Sequence, residues 1–312
     1  MLKQTQQSGV KMKTVFYGTT ALIFSANFGF AQGIEISGFA ELGVYGGSGV
    51  DTQFFSDVDV DFTMSGVADN GLTFGARVNL DTEGGEDNFD TSPEVFLSGD
   101  FGTLTMGDTD GAFDWALTEV ALGSRADDAA RNHVGFDSNN GYDGYYDGAI
   151  ARYEYSFGDF AFAVSAELSD NDNEDPIYAT ALRYAGEFGA IRVAAGLGYT
   201  ENPNNDESKT GISLETSFNN GLNVIGNYTK LNGTSFDRDH YAVGLNYTRD
   251  RLTVGLNAGG YKFSDGYSEC GVGLNASYDF GGGLKIHGSA GKSDSDFYDS
   301  DTRYTVGLTA TF

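Results

Sequence analysis

Short turn sequences recur along this chain at nearly constant steps, and their spacing limits the fold more than any other feature. Their centres lie near residues 70, 100, 158, 188, 220, 250 and 282, and the chain ends at residue 312, so six of the seven steps are 30 to 32 residues. Each step has room for two strands of roughly ten residues, a tight turn and a longer loop. With the opening unit from Gly33, the repeat predicts eight hairpins and therefore sixteen antiparallel strands.

The segments between these turns alternate apolar and polar residues with a period of two. In residues 72–80 (LTFGARVNL) every second position is apolar, and the intervening positions hold Thr, Gly, Arg and Asn. Residues 57–64 and 191–199 repeat the pattern. Such alternation is typical of β-strands that present one apolar and one polar face.

Aromatic residues beside the predicted tight turns decide between two all-β classes. A β-sandwich packs its apolar faces inward, whereas an outer-membrane barrel carries aromatic girdles at the membrane–water interfaces. The residues concerned are Phe101, Tyr155, Phe157, Phe160, Phe188, Phe218, Tyr247, Tyr278 and Phe280. We therefore predict a 16-stranded antiparallel transmembrane β-barrel whose apolar face meets lipid.

The first 31 residues predict a secretory signal peptide. Two lysines precede an apolar stretch from Val15 to Phe30, and small residues lead to a cleavage position after Ala31. Met12 is an alternative initiator, because MKTVFYGTTALIF is a typical signal start. The predicted mature chain, residues 32–312, forms one barrel domain.

The charge of the chain excludes one class of partner. The sequence holds 18 basic and 45 acidic residues, a net charge of −27, and loss of the three lysines in the predicted signal peptide makes it −30. Nucleic acid needs a basic surface, so it is not a predicted partner. The one cysteine excludes an intrachain disulfide, and the three histidines lack the spacing of a catalytic metal motif. We predict no catalytic residues and no enzyme activity.

The alternation stops once, within the 58-residue step. Residues 109–147 are rich in acids and small residues and hold Trp115, the only tryptophan. We predict that this segment folds inward as a constriction loop, because the radius and charges of the narrowest ring set pore selectivity. The candidate acids are Asp108, Asp110, Asp114, Glu119, Asp127 and Asp128.

Four arginines are the candidate bases of the lumen wall, because the alternation puts them on the polar face. They are Arg77, Arg152, Arg183 and Arg192. Opposed to the loop acids, they would set up a transverse field that orients polar solutes. For each arginine the alternative is a solvated wall charge outside the constriction.

The last strand ends with apolar residues at alternate positions and a terminal aromatic residue. These are Tyr304, Val306, Leu308, Ala310 and Phe312. The pattern resembles the C-terminal signal by which the barrel-assembly machinery recognises outer-membrane proteins. With GFAELGVYGG (38–47), GDFGTLTMGDTDGA (99–112) and the long insertion that follows, the whole mature chain resembles a Gram-negative general-diffusion porin of the Rhodobacter type.

The resemblance implies a homotrimer in the outer membrane, with a third loop folded into each lumen and passive diffusion of ions and small hydrophilic solutes. It requires no cofactor but implies calcium near the constriction or loops. The acid-rich stretches 170–175, 201–207 and 294–301 are predicted external loops that bind divalent cations bridging to lipopolysaccharide, or are simply solvated. Residues 57, 59 and 61 are either a cation site or solvated lumen carboxylates. The alternative functions are a substrate-selective channel and a non-conducting structural or adhesive barrel.

Overall fold

A closed barrel of sixteen antiparallel strands forms the body of the protein. The computed structural model describes residues 33–81, 90–120, 133–136, 139–146, 149–169, 174–234 and 236–312. The predicted signal peptide lies outside the described residues.

The strands follow one another around the barrel in chain order. Their bounds are β1 Gly33–Gly47, β2 Val50–Val67, β3 Thr73–Asp81, β4 Asp90–Gly99, β5 Gly102–Asp108, β6 Ala149–Phe157, β7 Phe160–Glu167, β8 Ile177–Phe188, β9 Ile191–Asn202, β10 Glu207–Phe218, β11 Leu222–Asn232, β12 Arg238–Arg249, β13 Leu252–Phe263, β14 Ser268–Gly281, β15 Leu284–Ser295 and β16 Asp301–Thr311. One short helix, α1 (Ala112–Ala116), follows β5. In the described part of the chain, no helix is long and apolar enough to cross a membrane.

The barrel closes where the first and last strands meet. β1 pairs with β16 from Phe39↔Thr311 to Gly47↔Arg303, and the backbone N–H of Phe312 donates to the Gly38 carbonyl at 2.9 Å. Closure leaves no sheet edge unpaired, which lipid requires because it offers backbone groups no hydrogen bonds. The predicted 16-stranded antiparallel barrel is confirmed.

The two faces of the barrel differ as the alternation predicts. In β9, Leu197 and Tyr199 are 52% and 40% exposed, whereas Gly198 and Thr200 between and beside them are buried. Apolar side chains that point outward all around a barrel need an apolar surrounding, which is the lipid core of a membrane. The inner face carries small, polar and charged residues together with buried apolar ones such as Ile225, which packs with Val120 and Phe136.

The tight turns lie together at one end of the barrel and carry the aromatic side chains. Gly158 and Gly189 take the left-handed conformation that these two-residue turns require, with φ of 62° and 64°. Across these turns the ring centroids of Phe157 and Phe160 lie 5.9 Å apart, and those of Phe160 and Tyr184 lie 5.0 Å apart. This exposed row matches the predicted girdle.

The residues of the predicted assembly signal lie on the outward face of β16. Tyr304 and Val306 are exposed, and Phe312 is 82% exposed beyond the strand end. This placement leaves the terminal ring accessible, and its role in recognition stays a prediction.

Candidate channel and its inward segment

The long insertion packs against the inner face of the barrel. We call residues 109–147 the inward segment; its described residues are 109–120, 133–136 and 139–146. Phe113 and Ala116 on α1 are buried, and α1 packs on β7, β8 and β9. A Cβ atom added to Gly198 would come within 2.9 Å of the Phe113 ring, so the helix rests on a wall that has no side chain there.

Hydrogen bonds attach the inward segment to the inner face at three strands, the first and last of which are β7 and β15. Ala112 N–H donates to Ser165 Oγ on β7 at 2.8 Å, Thr118 N–H donates to Ser213 Oγ on β10 at 3.0 Å, and Val134 N–H donates to Ser293 Oγ on β15 at 2.9 Å. All three serines lie on the face opposite the exposed apolar residues. The described parts of the segment therefore lie inside the barrel.

Small residues on the wall allow this close approach. The Ala116 carbonyl lies against Gly196, and the Gly135 carbonyl lies against Gly259, where a Cβ atom would collide with each. Polar side chains complete the contact: His240 Nε2 lies 2.8 Å from the Gly135 carbonyl. Glycines that the alternation places on the polar face thus leave room for the backbone of the segment to pack directly against the wall.

Arg152 holds the start of the inward segment. Its guanidinium donates to Thr109 Oγ1 at 3.2 Å and to the Asp110 carbonyl, and its Nε lies 3.2 Å from Glu154. Arg183 lies under α1, with its guanidinium carbon 4.8 Å from the centroid of the Trp115 ring. Both arginines face the lumen, but their contacts support the segment.

The other two candidate arginines lie apart from the segment. Arg77 on β3 binds Asp61 on β2 at 2.7 Å. Arg192 pairs with Glu187 at 3.2 Å beside a tight turn, four residues nearer that turn than Gly196, where the segment packs. The geometry thus does not bring the four arginines together as one basic wall opposite the loop.

The candidate acids do not all lie on the lumen side of the barrel. Asp110 is half-buried and interacts electrostatically with Arg183, and Asp114 and Glu119 are half-buried on the segment. Asp108 is exposed and, by strand alternation, shares the outward face with Leu104 and Met106, so it is not a lumen group. Asp127 and Asp128 lie outside the described residues.

Sequence reasoning missed several groups that fix the segment. Asp143 Oδ2 accepts the Gly111 N–H at 2.6 Å, and Glu167 Oε1 accepts the Tyr146 N–H at 2.7 Å. Lys209 donates to the Gly141 carbonyl, with its Nζ 4.3 Å from the centroid of the Tyr142 ring. These partners are 21 to 68 residues apart in the chain, so no spacing motif joins them.

A second group of acids lines the inner face of β2 and β3. One carboxylate oxygen each from Asp57, Asp59 and Asp81 lies within 4.8 Å of the other two. The sequence-based alternative is a cation site at residues 57, 59 and 61. In the structure the third carboxylate of this cluster belongs to Asp81 and not to Asp61. Asp81 pairs directly across from Asp59, while Asp61 binds Arg77 and Asn79. Oxygen donors of this kind suit calcium, and cation binding there stays a prediction.

Comparison with known proteins agrees with the barrel fold. The family model for Gram-negative porins matches residues 18–298. The porin of Rhodobacter capsulatus is 31% identical over 311 residues, covering 88% of this chain and 98% of that protein.

Solved structures share the fold. A porin refined at 1.8 Å resolution gives a TM-score of 0.69 at 27% identity, covering 90% of this chain and all of the other. The anion-selective porin from Comamonas acidovorans gives 0.64 at 14% identity over 90% of this chain and 99% of its own, which shows the fold alone. Since the family match spans nearly the whole chain, this protein belongs to the Gram-negative porin family.

Proposed function

We propose that this outer-membrane porin is a general-diffusion channel whose narrowest part lies between the inward segment and the opposite side of the barrel. That side, β1–β3, carries the lumen-facing carboxylates Glu41, Asp57, Asp59 and Asp81, which we call the acidic wall. The observation that carries the proposal is the position of the segment. Its contacts run along the inner face from β6 to β15, so it occupies one side of the lumen. Barrels of sixteen strands leave an aqueous channel, and a segment seated on one side narrows it.

The lining charges favour cations in this proposal. Glu41, Asp57, Asp59 and Asp81 point to the lumen from β1, β2 and β3. Arg152 and Arg183 are engaged with the segment, and Arg77 is neutralised by Asp61. A constriction with more acidic than basic groups attracts cations and repels anions.

The proposal includes a homotrimer, inserted by the barrel-assembly machinery after the signal peptide is cleaved. The family membership supports both, and the first strand begins at Gly33, two residues after the proposed cleavage position. The acid-rich stretches 201–207 and 294–301 lie at the end opposite the tight turns, where divalent cations would bridge them to lipopolysaccharide.

Liposome swelling tests the diffusion claim. Vesicles that contain the purified chain should swell in small sugars at a rate that falls steeply with sugar size and does not saturate with concentration. Saturable uptake of one sugar would instead indicate a substrate-selective channel. Absence of swelling in every sugar would indicate a non-conducting barrel.

A further inference from the structure

The carboxylate of Asp143 joins the two ends of the inward segment. Its Oδ2 accepts the backbone N–H of Gly111, 32 residues earlier in the chain, at 2.6 Å. Gly111 precedes α1 and accepts the N–H of Trp115 with its own carbonyl at 3.0 Å. The contact, which we call the Asp143 clasp, therefore fixes the point where the helix begins.

The clasp tolerates no side chain at Gly111. A Cβ atom there would lie 3.0 Å from Asp143 Cγ and closer still to its Oδ1. Gly111 has φ of −68° and ψ of 171°, a conformation open to any residue. Contact with Asp143, and not the backbone conformation, is therefore the reason for glycine at this position.

Charged groups surround the clasp from three elements. Asp110 lies at the start of the inward segment, Glu167 lies on β7 and Arg152 lies on β6. Burial opposes ionisation of Asp143, the Gly111 N–H favours it, both acids oppose it and Arg152 favours it. The sum raises the pKa of the Asp143 carboxyl from 3.8 to about 7.

We propose that Asp143 is a positioning residue that makes the seating and charge of the inward segment depend on pH. This inference rests on the proposed diffusion channel. Released into water, the carboxyl would titrate at its ordinary pKa, so the clasped form binds its proton more tightly than the released form does. The seated form is therefore favoured most over the released form below about pH 4, and this preference falls as the pH rises towards 7. Above that pH the seated carboxyl carries a full negative charge.

The test is the reversal potential of the purified full-length porin in a planar bilayer under a potassium chloride gradient, measured from pH 5 to pH 9. The wild type should gain cation preference in a step centred near pH 7, and Asp143→Asn should lose that step. Every other titratable group remains in the variant, so the difference isolates Asp143. Asp250→Asn, at a tight turn and with φ of 55° that Asn accepts, is the matched control and should keep the step.

A second variant keeps the test decisive if Asp143→Asn fails to fold. Gly111→Ala should push the carboxylate into water and move the midpoint of the step well below pH 7. A step of unchanged size and midpoint in either variant that folds, or a wild type without a step, overturns the proposal. Loss of all current in the wild type would contradict the channel itself and is distinct from either result.

Discussion

Arg183 on β8 lies beneath Trp115 on α1, with 4.8 Å between its guanidinium carbon and the centroid of the indole ring. A lumen-facing arginine in a porin is expected to face the solute, but this one supports the inward segment. Arg152 does the same through the carbonyl of Asp110. Two of the four candidate bases therefore hold the inward segment in place.

Replacing Arg183 by Ala should loosen the inward segment. A cation–π contact contributes about 0.5–2 kcal/mol, so we expect more frequent closures and a broader distribution of single-channel conductance, with the barrel intact. Arg192→Ala is the matched control, because an exposed ion pair contributes about 0–1 kcal/mol. The same closure frequency and the same spread of conductance in the two variants would contradict a supporting role for Arg183.

Gly198→Ala should displace α1. The new methyl group would meet the Phe113 ring at 2.9 Å, and overpacking of this kind costs about 1–3 kcal/mol. Protease sensitivity of the segment should rise. In Gly288→Ala, on the outward face of β15, the nearest atom would be 3.7 Å away, so that control should behave as wild type.

Neutralising the acidic wall should change ion selectivity. The double variant Asp57→Asn, Asp59→Asn removes two of the three clustered carboxylates, so the reversal potential in a salt gradient should move towards the anion side. Asp159→Asn, in the tight turn between β6 and β7, removes one charge far from this wall and should shift it less. An equal or smaller shift in the double variant would place selectivity elsewhere.

Removing Phe312 should impair assembly. The residue pairs with Gly38 through both backbone groups, at 2.9 and 3.3 Å, and exposes its ring. The truncated chain should accumulate outside the outer membrane, while Phe312→Tyr should assemble, because it keeps the aromatic ring and the backbone pairing. Normal amounts of truncated protein in the outer-membrane fraction would remove Phe312 from the recognition signal.

The repeat and the alternation were sufficient to predict the barrel, because strand period and turn spacing are local properties. Leu197 and Gly198 point to opposite faces simply because they are neighbours. The inner orientation of Arg152 and Arg183 follows from the same rule.

What those arginines contact could not be predicted, since it depends on how residues 109–147 cross the lumen. The same is true of Asp143 and Lys209, whose partners come from distant parts of the chain. Asp108 is a residue for which the local pattern is misleading: from the sequence we predict it to be one of the acids of the constriction loop. It is instead the last residue of β5 and faces outward. The Asp57, Asp59 and Asp81 group needs the β2–β3 register, which the sequence leaves open.

The most direct test of the account is single-channel current of the purified chain in a planar bilayer with a salt gradient across it. A water-filled lumen beside the inward segment predicts stable ohmic steps with a reversal potential on the cation side, and a homotrimer predicts closures in threes. A correctly folded barrel that passes no current would contradict the channel, and current with an anion-side potential would contradict the acidic wall.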